Sequence, residues 1–489
     1  MILSLAWKTL WSHPIRTAVL GVGFGLGVGV MATLLGVGEV VLEQARAPAL
    51  VGGGQLIVSG MSGAVSSARF VIDTLKRQRL ASGDAGALVA SPRKRADLFL
   101  VHDGRVVPIR ARGGIPSLER AIGDPETAAV DAWRDTDADA AWSSPNPSDV
   151  LRAMDRFHAE PNVPARSSSW AEWLYFKGRT GLDGREGQEG QEGQEGQERQ
   201  EGREGHRGHK GNTDVQFYCT FLVGPKRADG LRAAGVRLQV DRGGRVETYG
   251  ESAAVDERAL LASAPDVTIG KSRVRLEGLR YHVMLDLDRA SGEFFIDALP
   301  GRSLPPFSIA GAGGWLSGYT VPVMSGALTG SLNLRGDTIA LSGTGYHDHN
   351  WGFWQGVSWR WGQVQHDGLS LVYGRVFPPA DAADPERIPG FLAVLGPDGP
   401  LGYSTRVRID ETDDPGSGQP ARIVVQARSA ALDVRLELTV ESAIVNRGNA
   451  LAAGPDFLQL RARYDVSGTV GGRPLAFSAP GAAETFRAR

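Results

Sequence analysis

Apolar and polar residues alternate along most of the chain beyond residue 166, and this alternation limits the fold more than any other feature. Successive side chains of a β-strand point to opposite faces, so a period of two predicts strands with one buried face. Typical segments read VQFYCTFLVG, VRLQV, ARIVVQARS and LDVRLELTV, and short turns separate many of them. About a dozen short antiparallel strands predict a mainly β protein built from two β-barrels or sandwiches.

Length, charge and cysteine content narrow the class of protein further. A chain of 489 residues is too long for one ordinary core, so two or three domains are expected. Its formal net charge of −2 comes from both signs spread along the sequence, which excludes the broad basic surface that nucleic-acid binding requires. The single cysteine, Cys219, cannot form an intrachain disulfide and is expected to be a small buried apolar residue.

An uncharged apolar run occupies residues 17–38, near the N-terminus. About twenty such residues span a bilayer as a helix. Lys8 and Arg16 precede the run, whereas Glu39 and Glu43 follow it, so the positive-inside rule places the N-terminus in the cytoplasm. We therefore expect a single-pass membrane protein whose bulk is extracytoplasmic, which means periplasmic in a Gram-negative bacterium. The alternative is a signal peptide cleaved near Ala45-Arg46-Ala47.

The same N-terminal stretch, LAWKTLWSHPIRTAVLGVGFGLGVGV, resembles the first transmembrane segment of export-type ABC transporter permeases of the MacB/FtsX kind. Beyond residues 17–38 no second apolar run of that length follows, so a complete permease is not expected. The resemblance implies that ABC transporter subunits are partners of this chain.

Four regions follow from these patterns. Residues 1–45 form a cytoplasmic tip and transmembrane anchor, and residues 46–165 form a mixed α/β spacer with one hairpin (DLFLVHDGRVVPIRARGG) and two amphipathic helical segments. Residues 166–320 and 321–489 are the two predicted β domains. A Gly/Gln/Glu repeat at 184–210 has nothing to bury and is predicted to be a disordered insert.

The stretch YHDHNWG at residues 346–352 follows an alternating segment, so the strand period should continue through it. This period separates the polar side chains into two sets on opposite faces of the strand. The set on one face is Tyr346, Asp348 and Asn350, and the set on the other face is His347, His349 and Trp351.

Asp348, flanked by a phenol and an amide, is a plausible general acid. Tryptophan walls would desolvate its carboxyl group, raise its pKa and keep it protonated. Trp359 and Trp361 share a face of the next segment and are expected to line the same cavity, where their rings would stabilise a carbocation.

Structural roles for the same residues stay open. Asp348 is equally well placed to accept hydrogen bonds from a turn and hold a barrel corner, and the tryptophans are equally well explained as core. His347 and His349 share a face, as two zinc ligands would, but the sequence identifies no third ligand, so neither a metal nor a cofactor is predicted.

Two widely separated motifs, EWLYFKG at residues 172–178 and YHDHNWG at 346–352, are followed by WRW at 359–361. Their order and spacing resemble the carotenoid 1,2-hydratase (hydroxyneurosporene synthase)/AttH family over residues 166–485. That resemblance implies two lipocalin-like β-barrels side by side and a hydrophobic small-molecule ligand. The carotenoid enzymes of that family add water across a terminal isoprenoid double bond without a cofactor.

The resemblance also implies site residues. It makes Asp348 the proton donor and Tyr346 its partner. The residues that it places around the ligand are Glu172, Trp173, Tyr175 and Asn350, and the adjoining candidates are His347, His349, Trp351, Trp359 and Trp361. Leu174 replaces a tryptophan of the family motif, and residues 318–322 lack the His-x-Trp pair of the hydratases, which favours AttH-like relatives.

Two functions therefore remain as hypotheses. The first is a hydro-lyase in which Asp348 protonates an alkene and water captures the cation. The second is a non-enzymatic lipid- or hydrophobe-binding accessory protein of an ABC export system. The intact Tyr346-Asp348-Asn350 face favours the first, and the permease-like N-terminus favours the second.

Overall fold

The structure is a computed structural model, and it describes residues 12, 14–15, 56–58, 67–77, 88–102, 105–124, 127, 130, 132–143, 145–180, 215–262, 265–446 and 456–487. Its chain divides into two compact units, one of residues 1–65 and 87–143 and the other of residues 66–86 and 144–489. The apolar run at 17–38 and the repeat at 184–210 lie outside the described residues. Among the described helices, none combines the length and apolarity needed to span a bilayer.

The described α-helices are short. They are α1 (Ala68–Arg77), α2 (Pro116–Ala121), α3 (Asp137–Ser143), α4 (Pro147–Met154) and α5 (Glu257–Ala262).

Strands make up most of the described chain. The strands up to residue 353 are β1 (Lys94–His102), β2 (Arg105–Gly113), β3 (Trp170–Thr180), β4 (Val215–Lys226), β5 (Leu231–Arg242), β6 (Arg245–Asp256), β7 (Asp266–Ile269), β8 (Ser272–Glu277), β9 (Arg280–Leu287), β10 (Ala290–Asp297), β11 (Leu304–Ala310), β12 (Leu316–Leu334) and β13 (Asp337–Phe353). The remaining strands are β14 (Ser358–His366), β15 (Leu369–Phe377), β16 (Phe391–Gly396), β17 (Gly399–Ser404), β18 (Arg406–Asp413), β19 (Pro420–Arg428), β20 (Leu432–Asn446), β21 (Asp456–Val470) and β22 (Arg473–Arg487).

In the smaller unit, β1 and β2 form the predicted antiparallel hairpin, in register from Lys94↔Gly113 to His102↔Arg105. A buried carboxylate, that of Asp124, binds two arginine side chains beside this hairpin. Asp124 accepts hydrogen bonds from Arg93 at 2.9 Å and Arg112 at 2.6 Å. These charge-assisted bonds compensate the burial of Asp124, which is 1% exposed.

The larger unit contains two antiparallel sheets that are nearly closed into barrels. The first has eleven strands in the order β6-β5-β4-β3-β13-β12-β10-β9-β8-β7, with β11 paired to β12. The second has nine, in the order β17-β16-β15-β14-β22-β21-β20-β19-β18. The prediction of a mainly β protein with two barrel-like sheets is therefore confirmed, and each sheet surrounds its own apolar core.

The first sheet extends further along the chain than the predicted boundary at residue 320. Strand β13 pairs with β3 along its whole C-terminal half, from Gly343↔Thr180 to Phe353↔Trp170. It also pairs with β12, so residues 316–353 complete the first barrel and the second barrel begins at Ser358. This pairing brings the two sequence motifs, 172–178 and 346–352, side by side.

Helix α4 illustrates how local sequence sets an element next to the first barrel. The Asn146 side chain caps it by accepting a hydrogen bond from the Ser148 amide at 2.9 Å, and Pro147 occupies the first turn. Its buried face consists of Val150, Leu151 and Met154. Asp155 follows immediately and enters the barrel interior with no exposed surface.

Candidate active site

Strands β3 and β13 are buried on both faces over the motif residues, because one face looks into the first barrel and the other towards the second sheet. Their register places Asp348 opposite Tyr175 and Asn350 opposite Trp173. Directly opposed residues in a sheet point to the same side. Tyr346, Asp348 and Asn350 therefore share a face, as the alternation predicts.

The Asp348 carboxyl group is held by neutral donors. Tyr346 donates its hydroxyl proton to Oδ2 at 2.9 Å, and the Asn350 amide donates to Oδ1 at 2.8 Å. Behind Tyr346, the Tyr319 hydroxyl lies 2.9 Å from the Tyr346 hydroxyl and accepts a hydrogen bond from the Trp361 indole at 3.0 Å. A single chain of hydrogen bonds thus runs from Trp361 through two tyrosines to Asp348.

Two adjoining chambers lie between the sheets. The aromatic chamber, with a volume of about 100 Å³, is lined by Asp348 and by several aromatic side chains, among them Trp173, Tyr175, Tyr319, Trp359 and Trp361. The polar chamber, with a volume of about 490 Å³, is lined by Arg237, Gln239, Thr220, Thr248 and Tyr218 among others. Four residues, Trp173, Tyr175, Trp359 and Glu484, line both, so the chambers adjoin at these side chains.

Burial raises the pKa of Asp348 well above that of an ordinary aspartate, and the nearby Glu484 carboxyl raises it further. Hydrogen bonds from Tyr346 and Asn350 act in the opposite direction but do not offset these two effects. Asp348 is 4% exposed. This environment favours the protonated form of the carboxyl group, which faces the aromatic chamber.

Glu484 is a site residue that the sequence does not reveal. It lies on the last strand, opposite Trp361, and accepts a hydrogen bond from the Trp359 indole at 3.0 Å. Burial raises its pKa above the ordinary value, against the effect of hydrogen bonds from Trp359, Tyr175 and Gln459. The surrounding residues, GAAETF, contain no recognisable motif, and only the pairing of β22 with β14 brings Glu484 to the cavity.

The other face of β13 points into the first barrel and carries a separate cluster. Asp155 accepts hydrogen bonds from the His347 ring at 2.9 Å, the His349 ring at 2.7 Å and the Tyr281 hydroxyl at 2.8 Å. The second ring nitrogen of His349 lies 2.8 Å from Glu172 Oε1. Two carboxyl groups, two imidazole rings and a phenol thus meet in this cluster, and none of them is solvent-exposed.

Electrostatics in this cluster run opposite to those at Asp348. Burial alone would raise the pKa of Asp155, but the hydrogen bonds and charges of His347 and His349 outweigh it and hold the pKa below its ordinary value. The pKa of Glu172 is lowered in the same way, against burial, by His158 and His349. Burial would lower the pKa of His349, yet its two carboxylate partners raise it to about 9.

Four predicted ligand contacts are corrected by this arrangement. Glu172, His347, His349 and Trp351 lie on the barrel face and line neither chamber. The reason is the strand alternation itself, because Glu172 precedes Trp173 by one residue and must point to the opposite side. Trp351 instead stacks on His158 with 4.1 Å between ring centroids.

The remaining predicted residues are brought together. Those that line the aromatic chamber are Asp348, Asn350, Trp173, Tyr175, Trp359 and Trp361. Tyr346 lies behind Asp348 and contacts it through its hydroxyl group.

His158 and Glu172 join His349 as a group whose donor atoms lie within 4.8 Å of one another, the spacing of candidate metal ligands. Both ring nitrogens of His349 already have carboxylate partners, and the His158 ring nitrogen lies 2.8 Å from Glu172. Hydrogen bonds between the imidazole rings and the carboxylates therefore already occupy these donor atoms.

No family profile matches the chain, and no curated protein matches its sequence. Similar solved structures include an AttH protein of Nitrosomonas europaea, 14% identical, which covers 68% of this chain and 97% of that one with a TM-score of 0.42. Kievitone hydratase from Nectria haematococca is 14% identical with the same coverage and a TM-score of 0.43. CghA in complex with Sch210972 is 12% identical, with coverage of 71% and 96% and a TM-score of 0.45.

Proposed function

We propose that this protein is a hydro-lyase that adds water to an alkene of a hydrophobic, isoprenoid-like small molecule bound in the aromatic chamber. Asp348 transfers its carboxyl proton to one alkene carbon, and the other carbon becomes a tertiary cation. Water forms a bond to that cation and returns a proton to the Asp348 carboxylate. The sum is alkene plus water to tertiary alcohol, with the protein unchanged.

The observation that carries this proposal is the state of the Asp348 carboxyl group. It is buried and lies near the Glu484 carboxyl group, and these two effects together outweigh the hydrogen bonds from Tyr346 and Asn350 and favour the protonated form. A protonated carboxyl group beside an apolar cavity is a general acid. Around it, the Trp173, Trp359 and Trp361 rings offer the π-faces that stabilise a cation.

A direct test incubates the purified chain with isoprenoid alkenes in D₂O and detects deuterated tertiary alcohols by mass spectrometry. Asp348→Asn is expected to lower turnover by at least about 10²-fold, the usual contribution of general acid catalysis, while ligand affinity survives. Asp288→Asn, in an exposed turn, is the matched control and keeps full turnover. Full turnover in Asp348→Asn would exclude the proposed role.

A second candidate function is the non-enzymatic binding and transfer of a hydrophobic molecule. It is favoured by the lining of the aromatic chamber, where apolar surface predominates and most residues carry no acidic, basic or nucleophilic group. In this case Asp348→Asn leaves transfer between vesicles intact, whereas Val376→Trp fills the chamber and abolishes it. Under the hydro-lyase proposal both variants lose turnover.

We further propose that residues 17–38 anchor the chain as a single span, with the bulk extracytoplasmic and ABC transporter subunits as partners. The uncharged run and its flanking charges support the anchor, and the permease-like N-terminal stretch supports the partner. An alkaline phosphatase fused after Arg489 should be active in a Gram-negative host. An inactive fusion whose cytoplasmic reporter counterpart is active would contradict this topology.

A further inference from the structure

Arg237 is a cation without a carboxylate partner among the described residues. Its guanidinium group faces the polar chamber and donates a hydrogen bond to the neutral Asn446 side chain. Removal from water lowers its pKa, and no neighbouring acid raises it. Its side chain is exposed where it borders the chamber, so an anion that enters the chamber can reach the guanidinium group directly.

Gln239 supplies a second and independent observation. It is 2% exposed, lines the same chamber, and its side-chain Nε2 donor has no hydrogen-bond partner. Gln239 follows Arg237 by two residues on β5, so both side chains project from the same face of the sheet. Buried amide donors are almost always paired in folded proteins, and this one points to an acceptor supplied by a ligand.

The neighbours of these two donors are hydroxyl groups and one glycine. Arg237 is paired with Thr220 on β4 and with Gly250 on β6, where the absence of a side chain leaves room beside the guanidinium group. Gln239 is paired with Tyr218 and Thr248. The chamber therefore offers a charged donor, an amide donor and hydroxyl groups on one patch of the sheet.

Two acidic residues also line this chamber. The Glu251 carboxylate lies against Gly270 in the β7–β8 turn, and among the described residues no ion pair joins it to Arg237. Glu484 lies where this chamber adjoins the aromatic chamber, and burial favours its neutral form. Neither acid neutralises the guanidinium group.

The two chambers are aligned along one row of the first sheet. Asp348 pairs with Tyr175, Tyr175 with Thr220, and Thr220 with Arg237. Paired residues point to the same side, so Asp348 and Arg237 project from the same face, three strand spacings or about 14 Å apart at ~4.8 Å per spacing. A ligand that touches both must be elongated, with an acceptor at one end and an alkene at the other.

Resting on the proposed function, we infer that the polar chamber binds the carboxylate of an alkenyl acid. Arg237 and Gln239 receive the carboxylate, and the hydrocarbon chain passes between Trp173 and Trp359 into the aromatic chamber. The distal double bond then lies at Asp348. The ligand class is an isoprenoid-like carboxylic acid rather than a pure hydrocarbon.

Binding of farnesoic acid, farnesol and farnesene to the full-length chain in detergent, followed by tryptophan fluorescence, tests this inference without requiring turnover. Farnesoic acid should bind at least tenfold more tightly than farnesol, and farnesene should bind most weakly. Arg237→Gln should remove the preference for the acid and leave farnesol affinity within twofold. Arg245→Gln, an exposed arginine on the neighbouring strand, is the control and should keep the preference.

A second variant keeps the test decisive if Arg237→Gln does not fold. Gln239→Leu removes one donor without changing charge and should weaken farnesoic acid binding three- to tenfold. Equal binding of acid and alcohol by the unaltered chain, or no binding of any of the three, would overturn the inference. If the chain prefers the acid through Arg237 but hydrates no alkene in D₂O, the binding site is supported and the proposed hydro-lyase is refuted. If it hydrates an alkene without preferring the acid, the hydro-lyase is supported and the carboxylate site is refuted.

Discussion

Acidic groups lie on both sides of strand β13, and they hold protons in opposite ways. On the barrel face, Asp155 and Glu172 have pKa values below the ordinary range. On the cavity face, the pKa values of Asp348 and Glu484 are raised. Burial acts in the same direction on all four carboxyl groups, because loss of water always favours the neutral form.

The difference comes from the partners. Asp155 is bonded to two imidazole rings that can become cations, and His349 bridges Asp155 to Glu172. Asp348 is bonded to a phenol and an amide, which carry no charge, and the Glu484 carboxyl group raises its pKa further. A buried carboxyl group thus becomes a structural anion or a proton donor according to whether its neighbours can supply positive charge.

The largest expected effect is the loss of the anion on the barrel face. Asp155→Asn removes one of the two carboxylates that pair with the His349 ring, and this carboxylate is also the hydrogen-bond partner of the His347 ring. Breaking one side of a buried ion pair typically costs about 3–5 kcal/mol in the free energy of unfolding. Urea denaturation at pH 7 measures this, with Asp288→Asn as an exposed control that should unfold like the original chain. A loss below about 1 kcal/mol would contradict a charged barrel face.

Alkaline pH should weaken the same cluster. The pKa of His349 is about 9 in the folded chain against an ordinary 6.5, so its contribution to stability is complete below pH 6.5 and lost as pH rises through 9. The loss is on the order of 3 kcal/mol. The pKa values of Asp155 and Glu172 are lowered in the folded chain. Both groups therefore stabilise the fold at any pH above their ordinary pKa values, and that stabilisation is lost in acid.

Denaturation midpoints measured from pH 5 to pH 9 check this alkaline limb. His349→Gln should be less stable at pH 6 and nearly independent of pH between 6.5 and 9. If the variant shows the same alkaline slope as the original chain, another group is responsible.

On the cavity face, replacing the buried acid should stabilise the chain instead of destabilising it. Because the pKa of Asp348 is raised in the folded chain, unfolding allows it to ionise, and its stability cost grows as pH rises above 3.8. Asp348→Asn removes that cost, so the variant should become more stable than the original chain between pH 4 and 7. The difference can grow by up to about 1.4 kcal/mol per pH unit. A variant less stable than the original at every pH would make Asp348 a structural residue.

The smallest expected effect concerns Tyr346, which positions the proton donor. Tyr346→Phe removes one hydrogen bond to Asp348, worth about 1 kcal/mol, and should lower turnover about tenfold or less. That bond also lowers the pKa of Asp348, so its loss should move the alkaline limit of activity to higher pH. An unchanged pH profile with reduced turnover would assign Tyr346 to packing alone.

Alternation along β13 was sufficient to separate Tyr346, Asp348 and Asn350 from His347, His349 and Trp351. The same rule, applied to β3, places Glu172 opposite to Trp173 and Tyr175, whereas family resemblance had grouped all three at the ligand. Local periodicity was the better guide there, because the direction of a side chain in a strand depends only on its position in the pleat.

The sequence by itself determined the strands, the hairpin β1–β2 and the face that each motif residue occupies, since these depend on neighbouring residues along the chain. Only the tertiary structure decided the partners. Asp155 reaches His347 from 192 residues away, Glu484 comes from the last strand, and Arg237 joins the row of Asp348 through two intervening strands. Which strands become neighbours depends on the packing of the whole sheet, and the charge state of every buried group depends on those neighbours.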